Sequence, residues 1–278
     1  MTNRRGTRIA QSLGYLLRHP YRSLVAVWRE QEADKAHLDA LDAILPLPQI
    51  EMDSILENRP VHLKVCSFLR GGSTVPDYAL LKGACEFCAR KHGEDYQVDY
   101  LEIGTWRGES IINVMESDKV NSAYSVTLSM DLEDNASIKE NANFFLTHYP
   151  NGKLHQILAN SMKFDFSTLN KKFDVIFIDG DHSYEAIFSD TKNAEALLKD
   201  EHSIIVWHDY LYNSETVRPL TLSAIRAALS KEKQDHVYCV RNTLSAICLQ
   251  GQFPIVEQGK GISIPTSGFE VDIKQHML

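Results

Sequence analysis

The chain has 278 residues, 44% of them hydrophobic and 24% charged, with 14 glycines and 9 prolines. These are ordinary values for a globular protein and exclude disorder, collagen-like repeats and fibres. The net charge of −8 argues against a general nucleic-acid binder, which needs clustered cations to neutralise phosphates.

The charge is uneven. Residues 1–30 hold six arginines (Arg4, Arg5, Arg8, Arg18, Arg22, Arg29) against Glu30, a net of +5 that leaves −13 on the remaining 248 residues. This leader reads as helical over residues 8–45, broken near His19-Pro20, with Leu13, Leu16, Leu17, Leu24, Val25 and Trp28 set among the arginines. Such a basic amphipathic segment either lies on an anionic membrane surface or serves as a helical cap or dimer contact, and the latter is expected. It lacks the continuous apolar stretch of a secretory signal, and no run approaches the roughly 18 apolar residues of a membrane span. Residues 46–75, with Pro46, Pro48, Pro60 and Gly71-Gly72, read as irregular.

From about residue 95 to 250, β-branched runs alternate with helical segments, the signature of a doubly wound α/β sheet. Strands are expected at 97–103, 122–128, 153–159, 173–179 and 202–209, with 173–179 the most apolar and therefore central. Helices are expected from Gly108, around residues 134–149, from Tyr184 and from Thr216. The runs HVYCVR and LSAICLQ, separated by Asn242-Thr243, read as a closing antiparallel pair. Five cysteines make an odd, low count that forms no disulfide framework, so a reduced, cytoplasmic protein is expected. Cys85 and Cys88 lie in a helical stretch with no second pair to complete a zinc site, and read as buried and inert.

Two places carry chemistry. In LEIGTWRGES (101–110) a strand ends on an acid, glycines follow and a helix begins. Gly104 and Gly108 let backbone approach a ligand, and the helix start offers free N–H groups. The Rossmann fingerprint G-x-G-x-x-G is not met, because Trp106 stands where its second glycine would be. The second place is FDVIFIDGDHSYE (173–185) with IIVWHDY (204–210). Both set polar groups directly after very apolar strands, where open α/β sheets bind ligands. Asp179, Asp181, His182, His208 and Asp209 are expected to converge there, with Asp181 or Ser183 also suited to capping the next helix.

The E-I-G-T-W-R-G-E-S stretch resembles the first motif of class I S-adenosylmethionine-dependent methyltransferases. I-D-G-D-H-S-Y-E with H-D-Y is similar to the bacterial small-molecule O-methyltransferases of the macrocin and catechol type. The resemblance implies a Rossmann-like, mostly parallel seven-stranded sheet with an antiparallel last strand, plus an N-terminal helical extension. It divides the chain into an extension or cap (1–70), an S-adenosylmethionine-binding domain (71–250) and a tail (251–278). It places Glu102, Gly104, Thr105, Trp106, Gly108 and Ser110 at the methionine end of S-adenosylmethionine, with Ser110 on its carboxylate. Asn160 and Ser161 fall near the adenine, and Asp179 and Gly180 against the cofactor. The second strand ends in Thr127 rather than an acid, so the ribose is left to Thr127 or to Asp131.

The resemblance also implies a divalent cation (Mg, Mn or another metal) on Asp179, His208 and Asp209, with His208 standing where the family more often has an acid. His182 aligns with a catalytic lysine, and an imidazole with an ordinary pKa near ~6.5 can take a hydroxyl proton at neutral pH. The implied activity is methyl transfer to a hydroxyl of a small molecule such as a sugar or polyketide, with Asp179, His182 and Asp209 catalytic. A homo-oligomer fits that family, and no nucleic-acid partner is expected. Three rivals stand beside this reading. One is a metal-independent methyltransferase using His182. Another is a non-catalytic cofactor-binding scaffold, favoured by the missing ribose acid. The third is a metal-dependent hydroxylase or lyase.

Overall fold

The computed structural model describes residues 46–67, 73–128, 143–213 and 216–256. The leader expected to be helical, Asp131, most of the helix expected at 134–149 and the end of the tail lie outside the described residues.

The expected strands form where β-branched runs occur: β2 (Val98–Ile103), β3 (Val120–Thr127), β4 (Leu154–Leu158), β5 (Val175–Ile178) and β6 (Ile204–Trp207). All five run parallel, and β2 lies between β3 and β5. The closing pair β9 (Val237–Val240) and β10 (Ala246–Cys248) is antiparallel, as expected, and β10 inserts between β6 and β9.

The strand count differs from the expected seven. Gln49–Ile50 forms a two-residue strand, β1, parallel to β9, so the sheet has eight strands in the order β1-β9-β10-β6-β5-β2-β3-β4. A segment read as irregular thus joins the sheet. Its strand exists only because Cys239 and Val240 offer it an edge, and no local pattern encodes that pairing. A short hairpin, β7 (Leu211–Asn213) with β8 (Thr216–Val217), follows the site and was also not anticipated.

Every residue of β5 and β6 is buried, as strands covered on both faces must be. Val175, Phe177, Ile204 and Val206 share a core with two helices, α2 (Val75–His92) and α3 (Glu109–Met115), while a one-turn helix, α1 (Asp53–Leu56), adds Ile55 to the same cluster. The other side of β5 meets α5 (Tyr184–Leu197), which packs on α6 (Pro219–Ala228). Two further short helices, α4 (Phe144–His148) and α7 (Lys231–Gln234), complete the set. Cys85 and Cys88 are buried on α2, where burial raises both thiols well above their ordinary pKa, the state of inert core cysteines. Trp207 also belongs to the core: its indole N–H donates to Thr191 Oγ1 at 2.9 Å. Among the described residues no helix is long and apolar enough to cross a membrane.

This order places a switch point at β2. The chain leaves β2 toward β3 and β4, then crosses back to β5 on the other side, opening a crevice at the carboxyl ends of the strands.

Candidate active site

The loop after β2 is built on backbone that most residues avoid. Gly104, Trp106 and Gly108 all have positive φ, at 89°, 40° and 90°. At Gly104 a side chain is excluded twice over, since a Cβ would overlap the Asp179 carbonyl and the Gly180 Cα as well as strain the backbone. The two loops flanking the switch point therefore touch backbone to backbone.

Beneath this loop Glu102 is fully buried. Its Oε2 accepts from Tyr100 Oη and its Oε1 from Ser110 Oγ, both at 2.9 Å. Burial pushes its pKa up to about 8, against the lowering effect of those two hydroxyls. Ser110 Oγ–H is turned to Glu102, so what the residue offers a ligand is its backbone N–H and the lone pairs of its hydroxyl oxygen. Thr105 Oγ1 pairs with Ser125 Oγ at 2.6 Å.

These loops enclose a cavity of about 760 Å³. Its lining brings together Gly104, Thr105, Trp106, Gly108, Ser110, Thr127, Asn160, Ser161, Asp179, Gly180, His182, His208 and Asp209, while Glu102 sits behind the wall. Asn160 also holds its own turn, accepting from the Met162 N–H at 3.0 Å. Asp181 also lines the cavity but serves the turn before α5, where its Oδ1 accepts from the Ser183 N–H at 2.7 Å and Ser183 caps the helix.

At the other end of the cavity the charged groups form one cluster. His182 Nε2 is 2.8 Å from Asp209 Oδ2 and 3.9 Å from Asp179 Oδ1. His208 Nδ1 lies 3.3 Å from Asp179 Oδ1 and 3.5 Å from Asp209 Oδ2. Arg218, at the start of α6, sets its Nη2 2.8 Å from Asp209 Oδ1. Asp209 itself adopts a φ of 55°, an uncommon conformation for a residue with a side chain.

The mutual charges set the protonation states. The bonds to Asp179 and Asp209 raise His182 to about 9. Burial alone would raise Asp179, but His208 and His182 hold it at about 2, and the same two rings hold Asp209 well below the carboxylate range. Burial pulls His208 toward its neutral form, but Asp179, Asp209 and Asp77 together push it well above an ordinary histidine.

Sequence reasoning missed three of these groups. Asp77 on α2 is fully buried, with its Oδ2 3.7 Å from His208 Nε2. Its only sequence signal is the capping box it forms with Thr74. Arg218 precedes Pro219 and carries no signal of its own. Asp190 on α5 is fully buried near Gly180 and Ser161, and burial pushes it up to about 6 against the Ser161 hydroxyl.

The divalent cation implied by the resemblance can be tested on this donor set. Spacing would allow one, since Asp179 Oδ1, His182 Nε2 and Asp209 Oδ2 lie within 4.8 Å of one another. The charges oppose it. Both oxygens of Asp209 already hold cationic partners, one of them an arginine that cannot deprotonate. Three carboxylates (Asp77, Asp179, Asp209) face His182, His208 and Arg218, so the cluster already pairs its charges within itself. The residues present do not fit a resident metal ion.

Residues 101–210 match the family described as a methyltransferase domain. No curated protein matches the chain. Among solved structures, the chain is similar to cofactor-bound Rv0187 from MTB, with 18% identity and a TM-score of 0.44 over 78% of this chain and 89% of that one. It is also similar to an O-methyltransferase from Bacillus cereus in complex with SAH (16%, 0.41, 78% and 97%). A third is TomG from Streptomyces achromogenes, an O-methyltransferase of tomaymycin synthesis in complex with SAM (15%, 0.43, 72% and 87%). With the glycine turn at the switch point and polar groups at the strand ends, the segment 101–210 thus matches a methyltransferase domain and lies on a doubly wound, mostly parallel sheet.

Proposed function

We propose that the protein transfers a methyl group from S-adenosylmethionine to a hydroxyl of a small molecule, without a resident metal. The observation that carries this reading is the single cavity joining the glycine turn of 104–108 to the His182–Asp209 pair. Its volume of about 760 Å³ falls in the range of cofactor and small-ligand sites.

When bound, S-adenosylmethionine supplies an electrophilic methyl on a sulfonium. The chain's residues would hold it by the backbone of Gly104, Gly108 and Gly180, with Thr105, Trp106 and Ser110 at the methionine end, Thr127 at the ribose, and Asn160 and Ser161 at the adenine. At the other end of the cavity, neutral His182, its Nε2–H donated to Asp209 Oδ2, takes the acceptor's hydroxyl proton at Nδ1. Asp209 and Asp179 stabilise the imidazolium that forms, and Arg218 fixes Asp209 for that task. Most of the rate then comes from positioning and fixed charge. We further propose a cofactor-binding unit that spans residues 71–250 together with strand β1 and α1, in a cytoplasmic, homo-oligomeric protein.

The test is calorimetric titration of S-adenosylmethionine into the protein, with Mg²⁺ or Mn²⁺ and again after EDTA. Micromolar binding that is equal in both conditions supports the reading. No binding in either condition removes methyl transfer from consideration.

A further inference from the structure

We propose that His208 occupies the cation position of this site, and that the identity of this one side chain keeps a divalent metal out. The proposal goes beyond methyl transfer and stands or falls independently of it.

The ring of His208 is held by carboxylates on both nitrogens, with Asp179 and Asp209 on Nδ1 and Asp77 on Nε2. Its side chain is only 6% exposed. The backbone behind the ring is pinned, since the His208 N–H donates to the Ile178 carbonyl at 3.0 Å and the preceding Trp207 is in the core.

Asp77 is equally fixed. Its Oδ1 accepts from the Leu244 N–H at 2.9 Å and from Ser245 Oγ at 2.8 Å, and its Oδ2 accepts from the Thr74 N–H at 3.0 Å. The start of α2 and the turn between β9 and β10 therefore clamp it against the ring. A ring flanked in this way does what a bound cation would do: it holds Asp179 and Asp209 near each other without leaving their charges uncompensated. Neither of its nitrogens makes a well-formed hydrogen bond among the described residues, so the contact is one of charge rather than of directed bonding.

The consequence is that the site lies one substitution away from a metal centre. Replacing the ring by a shorter carboxylate vacates the space between Asp179 and Asp77. It also turns a balanced cluster into one of four carboxylates with a deficit of positive charge, the ligand type that hard divalent cations take.

Mn²⁺ is the probe, read by electron paramagnetic resonance on the full chain. Wild-type protein is expected to leave added Mn²⁺ in its free hexaaquo signal. His208→Asp is expected to take up one Mn²⁺ per chain, at least about 100-fold more tightly than wild type, as the added ligand charge dictates. Stoichiometric Mn²⁺ on the wild type that disappears in Asp179→Ala would overturn the proposal. So would a folded His208→Asp, checked by circular dichroism, that takes up none. Should that variant fail to fold, the wild-type titration still decides. S-adenosylmethionine binding is measured on the same samples, so its failure counts against methyl transfer alone.

Discussion

Asp174, at the amino ends of the parallel strands, is as deeply buried as Asp77 at their carboxyl ends, yet the two regions treat their buried charges differently. Asp174 accepts from Tyr96 Oη at 2.8 Å, from the Asp99 N–H at 2.7 Å and from Lys199 Nζ at 2.8 Å. Nearby, His92 bonds the Cys88 carbonyl and Asp200 Oδ2, both at 2.9 Å, and stacks on Tyr96. Cys88, His92 and Asp174 are spaced as metal ligands are, just as the site residues are. At the carboxyl ends, by contrast, buried atoms of Trp106 and His208 lack hydrogen-bond partners among the described residues, and Trp106 and Asp209 carry strained backbone. The same residue types appear at both edges. The cluster around Asp174 is satisfied and the one around His208 is not, and unsatisfied buried groups cost stability and persist where a ligand or reaction uses them.

The largest effects should divide along that line. Asp209→Ala removes the partner of His182 and Arg218, and is expected to lower kcat/KM by about 10³-fold with little change in Tm. Asp174→Ala strands Lys199 beside a fully buried vacancy. It is expected to cost about 3 kcal/mol of stability while the folded fraction turns over at the wild-type rate. Parallel urea titrations and initial rates check both. An Asp174 variant that folds fully but turns over a hundredfold more slowly would break the comparison.

Next in size is pH. Because its bonds to Asp179 and Asp209 raise His182 to about 9, the neutral base is scarce at pH 7. The rate should climb about tenfold per pH unit and level off near 9, not near the ordinary ~6.5. Stability runs the other way. A folded pKa above the unfolded value means the contribution is complete below about 6.5 and is lost as pH rises through 9. Opposed slopes of rate and Tm across this window, both flattened in His182→Ala, are the expected result.

The legibility of the molecule follows the range of its interactions. The five parallel strands could be read because each is a β-branched run whose pattern is local, and the site loops because polar groups directly follow those runs. β1 could not be read, since two residues between prolines become a strand only when β9 lies beside them. Asp77 and Arg218 reach the site from helix starts far away in sequence, where they read as a capping residue and as the residue before a proline. The state of His182 was likewise beyond reach. Its residue type suggests a base at neutral pH, and only the 2.8 Å contact with Asp209 shows that it holds its proton more tightly.

Gly104→Ala sharpens the contrast from the backbone side. The methyl group meets the Asp179 carbonyl and the residue is held at φ 89°. A loss of about 2 kcal/mol is expected, together with loss of S-adenosylmethionine binding, because the two loops must part. Calorimetry on the folded variant checks this, and unchanged affinity would mean that the loop contact does not shape the cavity.

The smallest effect belongs to the satisfied edge. Burial pulls His92 toward its neutral form, but the Asp200 bond and the Cys88 carbonyl outweigh it and raise its pKa. Its contribution is therefore complete below about 6.5 and fades as pH rises through the higher folded value. Asp200 is 37% exposed, so the pair is partly screened, and His92→Gln is expected to cost less than about 1 kcal/mol. That cost should be visible in Tm at pH 6 and shrink as pH rises. A deficit that stays constant with pH would assign the contribution to the ring stacked on Tyr96, at a centroid distance of 4.2 Å, rather than to the ion pair. The amino edge would then owe its order here to packing, and the contrast with the charged edge opposite would be wider still.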